Sequence, residues 1–244
     1  MANETILSRL KISDQMFQVK TTKDNTFGPS CGLQQFVAGQ FVMLSIPGLK
    51  NIERAYSIAS PPSSKDLEFI SIYAAGGTFS PKLHSLEVSQ NIYIKDCLYG
   101  TLTLKNLLPG KRLWLLCTGT GVAPFLSILR DDIFQKFNEV ILMHGVRSTK
   151  EVFYGRLISK RIIVYPCVSR EASVNQGRVT DHIKSLTVFD RLNLPLFDKS
   201  SDRVAICGNL EFNKEIIGLL KADAWIMGSA KQPGHFIAEK AFVG

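Results

Sequence analysis

Leu113-Trp114-Leu115-Leu116-Cys117-Thr118-Gly119-Thr120-Gly121-Val122-Ala123-Pro124 is the stretch that decides the fold. The apolar run Leu113 to Cys117 is strand-length and suits a strand buried on both faces. A Thr-Gly-Thr-Gly turn follows, and from about Pro124 the pattern PFLSILRDDIFQKF predicts a helix. Glycine in such a turn lets the backbone come close to a phosphate, and the start of a helix offers unpaired N–H groups. Pro124 stands where the last glycine of a G-x-G-x-x-G fingerprint would fall. The same turn is also a common structural device. Alone it predicts strand, turn and helix, and leaves the phosphate open.

Outward from this unit the two halves of the chain differ. Downstream, strands are predicted at Glu139–His144, Arg161–Cys167 and Arg203–Cys207. Helices are predicted around Glu151–Ser159, Thr180–Ser185 and Glu211–Leu220. Strands alternating with helices predict a parallel sheet covered on both faces, with ligands at the carboxyl ends of its strands. Upstream, Val37–Ile46, Leu67–Tyr73 and Gln90–Lys95 are short β-branched or aromatic runs divided by Pro and Gly turns. Only Ser80–Leu86, with Pro81 in its first turn and Ser80 as a candidate cap, predicts a helix there. The fold class is therefore two-domain. Residues 1–108 form an antiparallel β-barrel, and residues 109–244 an α/β parallel-sheet domain that begins at the Leu107-Leu108-Pro109-Gly110 turn.

Composition narrows the function classes. The chain has 244 residues, 45% hydrophobic and 20% charged, as a globular protein would. No apolar run reaches the roughly 18 residues that cross a bilayer, and the N-terminus lacks a basic flank and an apolar core, so a cytoplasmic location and no membrane are expected. Five cysteines, at 31, 97, 117, 167 and 207, are too scattered for a zinc or iron–sulfur motif. The four histidines are equally dispersed, and no metal site is expected. The net charge of +8 invites an acidic partner. No run of five Lys/Arg and no recognition motif accompanies it, so nucleic acid is not expected.

Four further features bear on chemistry. Arg170 and Arg178 follow the strand that ends at Cys167, on the edge where the glycine turn lies, and two arginines there can grip a phosphate; surface solvation is the plainer alternative. Cys207-Gly208 ends another strand at that edge. Arg54-Ala55-Tyr56-Ser57 puts a cation, an aromatic and a hydroxyl along one strand. Gly77-Thr78-Phe79-Ser80-Pro81 leads into a helix start.

Taken in chain order, Arg54-Ala55-Tyr56-Ser57, Gly77-x-x-Ser80, Gly119-Thr120-Gly121-x-Ala123-Pro124, Cys207-Gly208 and the terminal Glu239-Lys240-Ala241-Phe242-Val243 resemble the ferredoxin–NADP reductase family. The match is to its bacterial ferredoxin/flavodoxin–NADP reductases, over essentially the whole chain. The resemblance implies an enzyme using FAD and NADP(H), with electrons leaving for an acidic ferredoxin or flavodoxin. It implies that Arg54, Ala55, Tyr56, Ser57, Gly77, Thr78 and Ser80 hold FAD, with Tyr56 on the ring and Ser57 near its N5 atom. Gly119, Thr120, Gly121, Arg147, Arg170, Arg178, Cys207 and Gly208 would hold NADP, the arginines gripping its 2′-phosphate. Ser57, Cys207 and Glu239 would stand at the reacting atoms. The chain departs from plant-type members, which end in an aromatic over the flavin. Here it runs on as Ala241-Phe242-Val243-Gly244, so Ala241 would face the ring and Phe242 the adenosine. A monomer is expected. The alternatives are a free-flavin or quinone reductase and a non-catalytic flavin-binding electron-transfer subunit. The latter often carries a C-terminal cysteine cluster, which this sequence lacks.

Overall fold

The short runs of the first hundred residues become strands in the computed structural model, which describes residues 1–24, 36–49 and 51–241. They are β1 (Ala2–Lys11), β2 (Met16–Thr21), β3 (Phe41–Ser45), β4 (Glu53–Ser57), β5 (Leu67–Ile72) and β6 (Asn91–Ile94). All pair antiparallel, in the order β4-β3-β6-β1-β2-β5. Just past β4, Ile58 bridges to Phe69 on the opposite edge strand, which closes the sheet into a small barrel. Ile6, Phe17, Val42, Leu44, Phe69 and Ile92 fill its interior. Helix α1 (Phe79–Ser85) packs Phe79 and Leu83 into the same core.

The chain divides into two units, and the first includes Ala123–Asp131 as well as Met1–Gly100. Helix α2 (Ala123–Leu129) is fixed within that unit by polar contacts. The Ser127 hydroxyl donates to the Ser60 carbonyl at 2.7 Å, and the Arg130 guanidinium pairs with Glu68 and donates to the Ala59 carbonyl at 3.3 Å. The helix predicted through Phe137 is therefore two pieces, α2 and a 3-10 segment at Asp132–Lys136. Asp131 and Asp132 sit badly at a helix C-terminus, whereas Asp132 suits the first turn of the next piece.

The second unit holds Thr101–Val122 and Asp132–Ala241. Its five strands are β7 (Arg112–Thr118), β8 (Glu139–Val146), β9 (Ile163–Val168), β10 (Asp202–Gly208) and β11 (Phe236–Lys240). They are parallel throughout, in the order β11-β10-β7-β8-β9. Alternate residues of these strands, such as Trp114, Leu116, Val204 and Ile206, pack against α3 (Val179–Lys184), α4 (Thr187–Leu192) and α5 (Leu210–Ala222). At the amino edge Arg112 forms a buried two-pronged pair with Asp202, both bonds 2.7 Å. The predicted helix at Glu151–Ser159 does not form. A 3-10 turn at Thr149–Glu151 gives way to turns, because Tyr154 is drawn fully into the core. Among the described residues no helix is long and apolar enough to cross a membrane.

Candidate functional site

Because the second sheet is parallel, the carboxyl ends of all five strands share one edge. Past β7, Gly119–Val122 form a 3-10 turn, with Gly119 at φ +52, a conformation that favours glycine. A Cβ added to Gly119 would meet nothing within 4 Å, so the loop is open there. Gly121 is the opposite case, since a Cβ there would come within 2.1 Å of the Cys207 carbonyl oxygen. At Gly208 a Cβ would come within 2.4 Å of the Phe212 ring and 2.6 Å of the Thr118 hydroxyl. Three glycines thus let the loop lie against the end of β10 while leaving one side free. The structure brings Gly119, Thr120, Gly121, Cys207 and Gly208 together.

The arginines lie along the same edge. Arg147 follows β8, and its carbonyl accepts from the Arg170 N–H, which follows β9, at 3.1 Å. Gly177, at φ +126, donates to the Val168 carbonyl at 2.9 Å and returns the chain to the end of β9, so Arg178 comes back beside it. Among the described residues no ion pair engages Arg147, Arg170 or Arg178. Cys207 and Glu239 are register partners on β10 and β11. Burial, and then the Glu239 charge, push the Cys207 thiol well above its ordinary range, so it is a neutral thiol. Burial also lifts the Glu239 carboxyl to about 7, against a smaller opposing effect from a backbone hydrogen bond at Thr101. The Asn213 amide donates to the Glu239 carbonyl at 2.8 Å and ties β11 to α5. Ala241 donates its N–H to the Gly208 carbonyl at 2.8 Å; Phe242 lies outside the described residues.

In the first unit, β4 carries Arg54, Ala55, Tyr56 and Ser57, paired in register with Leu44, Met43, Val42 and Phe41. Arg54 is exposed and donates to the neighbouring Glu53 carbonyl at 3.0 Å. The Tyr56 ring packs on Phe69 edge-on and on Phe79 at a tilt, and its hydroxyl meets the Ser71 hydroxyl at 2.9 Å. Burial pushes the phenol up to about 12, so the ring is a neutral platform. Gly77 closes a turn onto the Ala74 carbonyl at 2.8 Å. Thr78, at the cap position of α1, makes no side-chain cap. The capping expected of Ser80 is not seen: it lies inside α1, where its oxygen accepts from the Ala74 N–H at 3.1 Å. That bond fixes the 74–77 turn and leaves the hydroxyl proton available to a ligand.

Comparison with known proteins bears on what these edges serve. The oxidoreductase NAD-binding domain family matches residues 115–216, which include the glycine loop and the arginines. A flavodoxin/ferredoxin–NADP reductase of Rhodobacter capsulatus is 36% identical, over 99% of this chain and 93% of that protein. This chain belongs to the ferredoxin/flavodoxin–NADP reductase family. A ferredoxin–NADP reductase of Pseudomonas aeruginosa is 37% identical over 98% of this chain and 97% of its own length. The crystal structure of a ferredoxin–NADP+ reductase from Neisseria gonorrhoeae with bound FAD and NADP aligns with a TM-score of 0.88, at 26% identity, over 98% of both chains.

As a member of this reductase family the chain has a donor set that fits a dinucleotide. The loop is open at Gly119, and three guanidinium groups that make no ion pair among the described residues lie at the same edge, while the carboxylates there, Glu151, Glu171 and Asp181, accept from the backbone N–H groups of Arg147, Thr149 and Arg178. Three structural supports were not anticipated from sequence. Ser71 holds the Tyr56 hydroxyl, Arg130 and Glu68 anchor α2, and His144 with Tyr154 underlies the glycine loop. Their one sequence signal was polar residues at strand or helix positions expected to be apolar, which a single sequence does not distinguish from a solvated face.

Proposed function

We propose that this chain binds FAD and carries electrons between NADPH and a one-electron protein carrier, a ferredoxin or flavodoxin. The observation that carries the reading is the carboxyl edge of the parallel sheet, which gathers an open glycine loop, three arginines, a neutral thiol and a high-pKa carboxyl in a chain of this family. Bound FAD supplies the chemistry, accepting a hydride at N5 and releasing electrons singly.

The chain's own residues bind and orient. In this reading residues 1–108 serve FAD and residues 109–244 serve NADP. Arg54 and Ser80 pair with the FAD pyrophosphate, Gly77 and Thr78 let the chain pass close to it, and Tyr56 offers a ring face whose tilt Ser71 holds. Ala55 and Ser57 line the flavin edge, with Ser57 donating a hydrogen bond near N5. Gly119, Thr120 and Gly121 cradle the NADP pyrophosphate, while Arg147, Arg170 and Arg178 grip the 2′-phosphate through charge-assisted bonds. Cys207, Gly208 and Glu239 stand beside the nicotinamide, where the thiol is uncharged and the carboxyl, lifted to about 7, is about half protonated at neutral pH, which limits the charge that opposes hydride movement. The family pattern assigns the flavin ring to Ala241 and the adenosine to Phe242, which lies outside the described residues. We further propose that the carrier is acidic, that the protein works in the cytoplasm as a monomer, and that it does not engage nucleic acid. Extraction of the purified protein tests the cofactor: FAD at about one per chain is expected from a noncovalent site of this kind. FMN as the main flavin would overturn the pyrophosphate roles of Arg54 and Ser80.

A further inference from the structure

His144 lies on β8 in register with Cys117 on β7, two residues before Gly119, and is wholly buried. Its Nε2 lies 2.8 Å from the Gly119 carbonyl oxygen, and its Nδ1 lies 2.9 Å from the hydroxyl of Tyr154, also wholly buried. A carbonyl only accepts, so Nε2 carries the proton, and Nδ1 then accepts from the tyrosine hydroxyl. Both ring nitrogens are satisfied by one tautomer. Burial drives the imidazole down to about 4, which keeps it neutral over the range in which enzymes of this kind are assayed.

The consequence lies in the peptide that follows. The Gly119–Thr120 peptide is trans, so its C=O and N–H point in opposite directions. With the carbonyl drawn toward His144, the Thr120 N–H is turned the other way. Early in a 3-10 turn that N–H has no partner within the turn. Glycine at 119 makes the peptide plane easy to flip, and the space beyond Gly119 is open. We propose that His144 and Tyr154 are a positioning pair that fixes this peptide plane and presents the Thr120 N–H, already oriented, to the pyrophosphate of the nucleotide. This rests on the nucleotide reading above and adds to it the residues that set the loop. It also explains why the chain at 152–158 gives up a helix: Tyr154 must reach the imidazole.

The pair acts on a pyrophosphate and leaves the 2′-phosphate contacts alone, so two probes separate the cases. NADP+ carries both groups, and 2′-AMP carries the 2′-phosphate without a pyrophosphate. Affinities of the FAD-loaded protein for each are measured in wild type, His144→Leu, His144→Gln and Tyr154→Phe. Loss of one net hydrogen bond corresponds to about a tenfold change. In His144→Leu the ratio of NADP+ to 2′-AMP affinity is expected to fall about tenfold, and in Tyr154→Phe by a smaller factor. His144→Gln, whose Nε2–H can reach the same carbonyl, should restore most of it. Nitrogen-15 NMR of wild type should show His144 protonated at Nε2. Wild type binding neither probe would defeat the nucleotide reading itself. Wild type binding both, with the ratio unchanged in Tyr154→Phe and His144→Leu or both affinities falling together, would overturn the positioning role, as would an Nδ1-protonated His144. Should His144→Leu not fold, the Tyr154→Phe ratio and the tautomer decide.

Discussion

Glu239 shows how much one carboxyl can reveal. Its folded pKa of about 7 lies above the ordinary 4.5, so between those values the native state holds a proton that the unfolded chain has released. Stability therefore falls as pH rises through that window and levels off above it. The expected loss between pH 4.5 and 7 is about 2–3 kcal/mol, absent in Glu239→Gln. Denaturation of both proteins at several pH values checks it, and parallel curves would mean that the carboxyl is ionised in the native state. Arg170 and Arg178 make a second residue-scale case. Replacing both by alanine removes two charge-assisted bonds to a 2′-phosphate and should raise KM for NADPH about 10–100-fold while leaving NADH nearly unchanged. If the double variant prefers NADPH as strongly as wild type, other residues read the phosphate.

The glycine loop is where an element's geometry, more than any one side chain, decides the outcome. Gly119→Ala puts a Cβ into open space at φ +52 and should cost about 1–2 kcal/mol through backbone strain alone. Gly121→Ala drives a Cβ against the Cys207 backbone and should cost about 3 kcal/mol or more, with loss of NADP+ affinity because the loop must move off β10. Urea midpoints and NADP+ titration rank the two variants, and the reverse ranking would contradict the described loop. The loop and the strands around it were legible because buried parallel strands read as unbroken apolar runs. β1 was not legible, since its buried positions include Glu4, whose carboxylate is satisfied by the Thr22 hydroxyl and leaves no apolar alternation to read. β11 escaped for a related reason: its Phe236-Ile237-Ala238 run is too short to separate from a loop until β10 pairs with it. The helix expected at Glu151–Ser159 failed because apolar spacing cannot show that Tyr154 is drawn to a histidine ten residues earlier. Among site residues, those at strand ends were legible from their motifs, whereas His144, Ser71 and the Arg130–Glu68 pair act through partners distant in sequence.

For the molecule as a whole, the excess of eight positive charges is more than the three arginines proposed to hold the nucleotide account for. Lys82 in the first unit and Lys105 in the second are both exposed, and we propose that exposed lysines of this kind steer an acidic carrier. Steering of that kind acts on the association rate and is screened as the Debye length shrinks to about 10 Å near 0.1 M salt. Reduction of a protein carrier at limiting concentration should slow several-fold as salt rises, while a neutral quinone acceptor stays nearly constant; a flat profile with every carrier would remove the docking proposal and leave the rest. Above all, one chain is expected to join NADPH to a one-electron carrier through FAD. The most direct test is an anaerobic titration of the purified yellow protein with NADPH, followed by mixing with oxidised ferredoxin or flavodoxin. Bleaching complete at about one equivalent of NADPH, and colour recovered as the carrier is reduced, is the expected result. A flavin that NADPH leaves oxidised, or that is bleached but passes no electrons to any ferredoxin or flavodoxin, would contradict it.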